Sequence, residues 1–323
     1  MLIDKINLQL FAEMNTQTTA SADLSTEMKT YYSGYLIDLV QAKLVHDQFA
    51  QTHDIPKNGG KTVEFRKFEP LGKLLTPLVE GVTPDGQSLK VSKIEATVEQ
   101  YGGYVTLADM YMITAIDNNL LWATKLIADQ AGATLDTITR EILVGGTNVY
   151  YAGGVTARNA VKDVLTVDDI RKARRALKAQ NAPTIDGYYV AIVHPDVVYD
   201  ITSDPKWEAV KQYDPADWYE GEIGRIDGVR FVETTEAKVI EGAGASGKSV
   251  YCTMLLGRDA YGTTKVSGGG LEHITKPLGS AGTSDPLNQR ATVGWKATKT
   301  AIRLVEQYMI RIESASTFDS ASN

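Results

Sequence analysis

Residues 242–249 have the spacing that most clearly matches a known chemistry. Their sequence, GAGASGKS, fits the pattern Gly-x-x-x-x-Gly-Lys-Ser of a nucleotide-binding loop, in which backbone N–H groups and a lysine, here Lys248, hold phosphates. That chemistry also requires a helix directly after the loop, because the helix N-terminus completes the anion site. The residues after Ser249 are instead rich in Val, Tyr and Thr and predict a strand. We therefore interpret the segment from Gly242 to Ser249 as a loop between two strands, with a nucleotide-binding enzyme as an alternative.

Histidines offer two further candidates. His194 lies beside Pro195 and Asp196, an order that could pair an imidazole with a carboxylate, as a general base requires. The same residues fit a strand end followed by a helix with proline in its first turn, and we favour that interpretation. His46 and His53 are seven residues apart without a glutamate placed between them for zinc chemistry, so no zinc site is expected. The sequence thus predicts no catalytic, cofactor-binding or metal-binding residues.

Composition and charge exclude several classes of protein. The chain has 323 residues, of which 43% are hydrophobic and 23% charged, a balance that fills a globular core. The chain has 33 Lys and Arg residues and 40 Asp and Glu residues. The resulting net charge of −7 argues against a protein whose whole surface binds nucleic-acid phosphates. The single cysteine, Cys252, excludes an intrachain disulfide and any multi-cysteine metal site. Its apolar surroundings in the sequence predict a buried, unreactive thiol.

The sequence also argues against a membrane location. No segment approaches the roughly 18–20 apolar residues that span a bilayer. The N-terminus, MLIDKINLQLFA, is interrupted by Asp4 and Lys5 and lacks the continuous apolar stretch of a secretory signal. We therefore expect a soluble intracellular protein with no membrane partner.

The elements that carry these residues show no regular βαβ alternation, which predicts a mixed α+β fold. Apolar periodicity predicts helices over residues 24–50 and 118–143, and capping residues predict further helices from Thr166 and Pro195. Strands are expected at residues 62–68, from Val91, and at 188–193, 229–233, 249–256 and 300–311. The polar residues near the N-terminus and the tail from Ser314 have the composition of flexible segments.

A long connection rich in proline and glycine joins the first two predicted strands. It predicts an extended two-stranded projection rather than a tight hairpin. Because such a ribbon is only marginally stable alone in water, we expect another surface to cover it, for example a neighbouring copy of the chain. The helix over residues 118–143 would then be a strut about 39 Å long, at about 1.5 Å per residue.

Six segments, taken in their order along the chain, carry a family resemblance. They are residues 7–12 (NLQLFA), 75–87 (LTPLVEGVTPDGQ), 101–106 (YGGYVT), 135–141 (LDTITRE), 221–233 (GEIGRIDGVRFVE) and 289–296 (QRATVGWK). Together they resemble the N-four-type coat protein family of tailed-bacteriophage major capsid proteins. The last two segments are the most distinctive. The order of all six segments along the chain is stronger evidence than any one segment alone.

This resemblance implies a fold of the HK-ninety-seven-like phage capsid type. Its parts would be an N-terminal arm, an extended β loop, a peripheral domain with the long spine helix, an axial domain, a strand that returns to the peripheral domain, and a flexible tail. In this sequence they map to residues 1–58, 59–106, 107–160, 161–289, 290–313 and 314–323.

The resemblance also implies a function. The chain would be a structural, non-enzymatic subunit that self-assembles into hexamers and pentamers of an icosahedral shell around double-stranded phage DNA. Expected partners are copies of the chain and the scaffold, portal and decoration proteins that such shells can use, with DNA enclosed without sequence-specific binding. Its location would be the virion, after assembly in the bacterial host cytoplasm. A cellular nanocompartment shell of the same fold is the alternative, and the phage-like N-terminus argues against it.

Five charged residues are candidates for ion pairs between subunits. They are Glu64, Arg66 and Lys67 on the predicted projection, and Arg140 and Glu141 near the end of the long helix. For each of them the alternative is a solvated surface charge, worth at most ~1 kcal/mol.

Overall fold

The computed structural model describes residues 44–53, 61–68, 71–78, 80–81, 83, 86–114, 119–207, 222–264, 271–280, 282 and 285–319. Most of the predicted N-terminal arm, and most of the helix predicted over residues 24–50, lie outside these ranges. The described residues mix helices and strands, which confirms the predicted α+β fold.

The strands and helices of the described residues have the following bounds. The strands are β1 (Gln51–His53), β2 (Thr62–Phe68), β3 (Val91–Thr97), β4 (Glu99–Ala108), β5 (Val149–Tyr151), β6 (Tyr189–Val193), β7 (Glu222–Ile226), β8 (Val229–Glu233), β9 (Val239–Ile240), β10 (Val250–Leu256), β11 (Tyr261–Thr264), β12 (Leu271–Lys276), β13 (Arg290–Lys299), β14 (Ala301–Arg303) and β15 (Met309–Ser314). The α-helices are α1 (Asp109–Thr114), α2 (Asn119–Val144), α3 (Val167–Ala179) and α4 (Pro195–Thr202).

The largest sheet has the strand order β5-β15-β10-β6-β8-β7, with β9 beside β10. Its central strands β6 and β10 are buried along their whole length, because their sequences YVAIV and VYCTMLL are apolar on both faces. Helices α3 and α4 cover one face and contribute Ile170, Leu177 and Val197 to the main apolar core. Both helices begin where the sequence predicts. The Thr166 side chain accepts from the Asp169 N–H, and Pro195 opens α4.

A second sheet, of order β12-β13-β4, packs against the long helix α2. The buried stripe of α2, which includes Ile127, Ala131 and Leu135, contacts Val293 and Trp295 of β13. The helix runs from Asn119 to Val144, within a residue of the predicted bounds, and its 26 residues make it about 39 Å long. The predicted strut is confirmed.

The predicted strand over residues 300–311 is wrong. The chain forms β14 in the small sheet β1-β11-β14, turns at residues 304–308, and enters the large sheet as β15. The N–H groups of Leu304 and Val305 both donate to the Ala260 carbonyl and fix that turn. Alternating apolar residues on either side of the turn serve two different sheets, and the sequence pattern does not distinguish this from one long strand.

Two further expectations differ from the structure. Residues 44–50, the described end of the helix predicted over 24–50, form turns instead. Residues 314–319, the described part of the predicted flexible tail, are packed on the body: Ala315 bridges to Val164, and the Thr317 hydroxyl donates to Asp200 at 2.6 Å. In both segments, polar groups are hydrogen-bonded to residues far away in the chain, as in the bonds from His46 to Asp136 and from Thr317 to Asp200.

Candidate interaction surfaces

The nucleotide-binding interpretation of residues 242–249 is not supported. They join β9 to β10, and these strands pair antiparallel with Val250 opposite Ile240. The chain enters β10 directly after Ser249, so no helix N-terminus is available to complete a phosphate site. In addition, the N–H of Ser249 donates to the carboxylate of Asp319 at 2.6 Å, which places a negative charge where phosphate would have to lie. The segment is a hairpin loop, as the strand pattern predicts.

The other reactive residue types have structural roles. The Nδ1 atom of His194 accepts the Asp196 N–H at 3.2 Å and caps α4, and burial lowers the pKa of this histidine. Cys252 is buried in β10, and burial together with the nearby Glu313 raises the pKa of its thiol to about 12. Among the described residues, no three His, Cys, Asp or Glu side chains are grouped so that they could hold a metal ion. No helix in the described part of the chain is long and apolar enough to cross a membrane.

The ribbon formed by β2 and β3 is attached to the body at its base. The strands pair antiparallel from Thr62 opposite Thr97 to Phe68 opposite Val91. Phe65 is buried, and its ring lies edge-on to His53 with the ring centroids 4.7 Å apart. The ring fills the space where a side chain at Gly262 of β11 would lie. The sequence predicts that another surface covers the ribbon, and at the base this surface belongs to β1 and β11 of the same chain.

The far end of the ribbon is different, because it exposes a series of large apolar side chains. Each of the following is more than half exposed: Leu71, Leu74, Leu75, Leu78, Leu89 and Val91. We call them the ribbon tip. Single exposed apolar side chains are normal on a protein surface, but several on one projecting segment mark a contact site.

A second exposed apolar surface lies on α1 and the first turns of α2. Its members, which we call the helical patch, are each more than half exposed: Met110, Tyr111, Ile113, Trp122 and Leu126. The Lys125 ammonium lies 5.4 Å from the centre of the Trp122 ring. The opposite side of α2 fills the core with β13, so Trp122 and Leu126 face away from the body.

The outer face of the β12-β13-β4 sheet carries an open groove of about 600 Å³. Its floor includes Gly102 and Gly294, where neighbouring backbone oxygens leave no space for a Cβ atom. Tyr104, Ile274 and Lys276 line its walls. The groove is shallow, and its glycine floor keeps the adjacent strands in close contact.

The five predicted contact residues fall into two groups. Glu64 and Arg66 lie exposed on the outer face of β2 and pair with each other at 3.3 Å, while the side chain of Lys67 lies outside the described residues. Arg140 is buried and donates to the Glu236 carbonyl at 2.7 Å and to Glu141 at 3.1 Å.

Glu141 also accepts from Lys238 at 2.9 Å. Burial opposes ionisation of Glu141, but hydrogen bonds from Lys238 and Arg140 hold the pKa of this carboxyl below its usual value. The Arg140 group therefore joins α2 to residues 236–238 of the same chain.

Residues 44–53, which we call the strap, are held by a buried polar network that was not predicted from the sequence. The His46 N–H and ring both bond Asp136 of α2, at 2.8 and 2.6 Å. Asp47 accepts from Thr139 and from the fully buried Lys299 of β13, both at 2.6 Å. These residues are separated by 90 to 252 positions in the chain, so no local sequence signal marks the network.

Comparison with known proteins gives a consistent picture. Residues 91–309 match the family described as phage capsid protein. The capsid of Ralstonia phage GP4 superposes with a TM-score of 0.64 at 15% identity, over 86% of this chain and 87% of that chain. The capsid of cyanophage Pam1 gives 0.61 at 17% identity, over 79% and 86% of the two chains. The capsid of Helicobacter pylori bacteriophage KHP30 gives 0.58 at 12% identity, over 84% and 88%. No curated protein matches the sequence.

Proposed function

The chain belongs to the phage capsid protein family, and on that premise we propose that its copies form hexamers and pentamers that tile the icosahedral head of a tailed phage. It is a structural protein of the virion capsid and assembles with copies of itself into a shell. The fold is HK-ninety-seven-like. The narrower N-four-type assignment remains a prediction.

The observation that carries the proposal is the pair of exposed apolar surfaces, the ribbon tip and the helical patch. We propose that the ribbon tip of one copy packs on the helical patch of the next. Because the two surfaces differ, this contact is heterologous, and a heterologous contact repeated by rotation closes into rings. Both surfaces would be buried only when the copies assemble.

The energetics favour closed assemblies over dimers. Burying a leucine-sized side chain contributes roughly 1.5–3 kcal/mol, so covering the six side chains of the ribbon tip contributes on the order of 10 kcal/mol. Bringing two bodies together costs an estimated ~4–15 kcal/mol. One such contact therefore gives a weak pair, whereas a shell in which every copy makes several contacts is stable.

The domain division predicted from the sequence is retained as a proposal with two changes. β4 and β12 both pair with β13, so we assign both strands to the peripheral domain. The extended loop is then limited to the ribbon that ends at Thr97. The peripheral domain then contains α2 and the β12-β13-β4 sheet, and the axial domain contains most of the large sheet with α3 and α4.

We further propose that the chain has no enzymatic role, that assembly takes place in the host cytoplasm, and that the shell encloses double-stranded DNA without binding specific sequences. The net charge of −7 supports the last point, since a strongly basic wall would bind the packaged phosphates tightly. Scaffold, portal and decoration proteins would be further partners. The nucleotide-binding alternative lacks support, because its loop is a hairpin closed by Asp319.

Electron microscopy and sedimentation of the purified chain test the proposal. We expect closed particles from the unsubstituted chain, and a loss of particles when Leu74 and Leu75 are both changed to Ser. The matched control is Thr76→Ser in the same segment, which should assemble normally. A chain that stays monomeric under all assembly conditions would contradict the proposal, and particles that contain an enzyme instead of DNA would favour the nanocompartment alternative.

A further inference from the structure

The outer face of the ribbon carries four charged side chains in an unusual order. The register places Glu64 directly opposite Glu95, and Arg66 directly opposite Lys93. Like charges directly opposite each other are unfavourable in an antiparallel pair, and exchanging the two charges on one strand would replace both repulsions with cross-strand ion pairs. The attractive contacts instead run along each strand, from Arg66 to Glu64 at 3.3 Å and from Lys93 to Glu95 at 2.5 Å.

These four residues, which we call the charge tetrad, form an acidic row and a basic row. The rows are two residues apart along the strands, which is about 7 Å at about 3.4 Å per residue. All four side chains are 42–71% exposed. The opposite face of the ribbon packs on the body through Phe65 and Ala96, so the tetrad is on the face that a partner can reach.

The charge pattern restricts the kind of partner. The tetrad has two positive and two negative groups, so it gives no net attraction to nucleic acid or to an anionic membrane surface. It fits a surface on which an acidic and a basic row follow each other in the reverse order. A second copy of the same tetrad, turned end to end, is such a surface.

We propose that the tetrad binds the tetrad of a second copy across a two-fold axis. This axis lies between the two facing ribbons and is perpendicular to their strands. It passes midway between the acidic row and the basic row of each tetrad. The two ribbons are then antiparallel, and each acidic row faces the basic row of the other copy. The contact is isologous and closes on itself, in contrast to the heterologous contacts within a ring.

This two-fold contact rests on the proposed function, because only an assembly of copies brings a second ribbon into reach. It adds a separate role for the ribbon. The apolar tip joins copies within a ring, and the tetrad joins copies that belong to different rings. A closed shell needs both kinds of contact, since rings alone do not tile a surface.

A row-reversed chain tests the proposal. The substitutions are Glu64→Lys, Glu95→Lys, Arg66→Glu and Lys93→Glu, which keep the attractive pairs within each strand. The reversed tetrad is again complementary to itself but repels the original one. We expect the row-reversed and the unsubstituted chain each to form shells alone. When both are assembled together with an affinity tag on one of them, the isolated shells should contain the other chain at about one tenth or less of the fraction expected for random mixing. Intact mass analysis of the isolated shells measures that fraction.

Exchanging an exposed ion pair elsewhere is the matched control. Lys296 and Glu272 pair at 2.9 Å on the outer face of the β12-β13 strands. A chain with Lys296→Glu and Glu272→Lys should mix with the unsubstituted chain at random. Circular dichroism of each variant checks that it is folded.

Two half-reversed chains give a second, independent test with fewer substitutions. An all-basic tetrad (Glu64→Lys with Glu95→Lys) and an all-acidic tetrad (Arg66→Glu with Lys93→Glu) should each assemble poorly alone. Mixed together, they should form shells again, because each then faces a tetrad of opposite charge.

Three results would overturn the two-fold contact. Random mixing of the row-reversed and unsubstituted chains would mean that the tetrad faces solvent. Failure of the folded row-reversed chain to assemble alone would mean that the tetrad docks on a different surface. Absence of particles from the unsubstituted chain would refute the proposed function and the two-fold contact with it, whereas the first two results would leave the proposed function intact.

Discussion

The contact between Phe65 and Gly262 decides whether the base of the ribbon stays attached to the body. Among the described residues, β2 and β3 pair as strands only with each other, so side-chain packing rather than a shared sheet holds them to β11. Phe65 is 1% exposed, and any side chain at position 262 would overlap its ring. The ribbon base is therefore sensitive to single changes on either side of this contact.

Replacing Phe65 by Ala removes the buried ring. A buried Phe→Ala change costs about 3–5 kcal/mol, and here we expect most of it to appear as local detachment of the ribbon rather than as global unfolding. Hydrogen exchange of the amides in β2 and β3 should then accelerate by about 10²–10³-fold, at tenfold per 1.4 kcal/mol. Exchange in the central strands β6 and β10 should stay unchanged.

The reciprocal change, Gly262→Ala, inserts a methyl group against the ring. Overpacking of this kind costs about 1–3 kcal/mol. In a chain that already carries Phe65→Ala, the same change should cost less than ~0.5 kcal/mol, because the space is empty. The double-mutant cycle should therefore give a coupling of about 1–3 kcal/mol between the two positions.

Two outcomes would refute this reasoning. Additive effects of the two substitutions would show that position 262 does not contact the ring in solution. Equal acceleration of exchange in β10 and in the ribbon would show that Phe65 stabilises the whole body and not the ribbon alone.

Three further perturbations have definite expected outcomes. Lys299→Met removes the cation that pairs with Asp47, whose side chain is only 12% exposed, and should lower the free energy of unfolding by about 3–5 kcal/mol in urea titration. The half-exposed Lys296→Met should cost less than ~1 kcal/mol, and equal losses would contradict the role of the network. Burial lowers the pKa of His194 from 6.5. As the pH falls, this histidine is therefore protonated in the unfolded state before it is protonated in the folded state. The free energy of unfolding decreases from about pH 6.5 down to the lower pKa of the folded state. His194→Asn retains a capping side chain and should reduce this fall below about pH 6.5. An unchanged fall would assign it to other groups. Cys252, with a pKa of about 12, should react with a thiol reagent at about pH 8 only after unfolding, and rapid labelling of the native protein would contradict its burial.

Local sequence patterns were sufficient for several elements. The strand at 229–233, the start of α3 at its Thr166 cap and the bounds of α2 agree with the structure to within a residue. Each of these signals depends on residues a few positions apart, either through helical or strand periodicity or through a side chain that caps its own helix. The hairpin loop at residues 242–249 was also recognisable, because the apolar run after it favours a strand.

The candidate contact residues were less predictable. Glu64 and Arg66 are exposed, as the alternating pattern of β2 indicates, but only the register with β3 shows that like charges face each other. Arg140 looked like a surface charge at the end of a helix, yet it is buried against residues 236–238. Strand register and burial both depend on residues far away in the chain.

The sequence by itself determined the kind of protein and most of its parts: an α+β chain with a two-stranded ribbon, a long helix and a resemblance to phage capsid proteins that the comparisons confirmed. Only the tertiary structure decided which surfaces the chain covers for itself and which it leaves for neighbours. Phe65 at the base of the ribbon, His46 of the strap and Ala315 of the C-terminal segment are all buried within the chain. The ribbon tip and the helical patch are not. The physical reason is that burial and hydrogen bonding link residues such as Asp47 and Lys299, 252 positions apart, and no local pattern records such a pair.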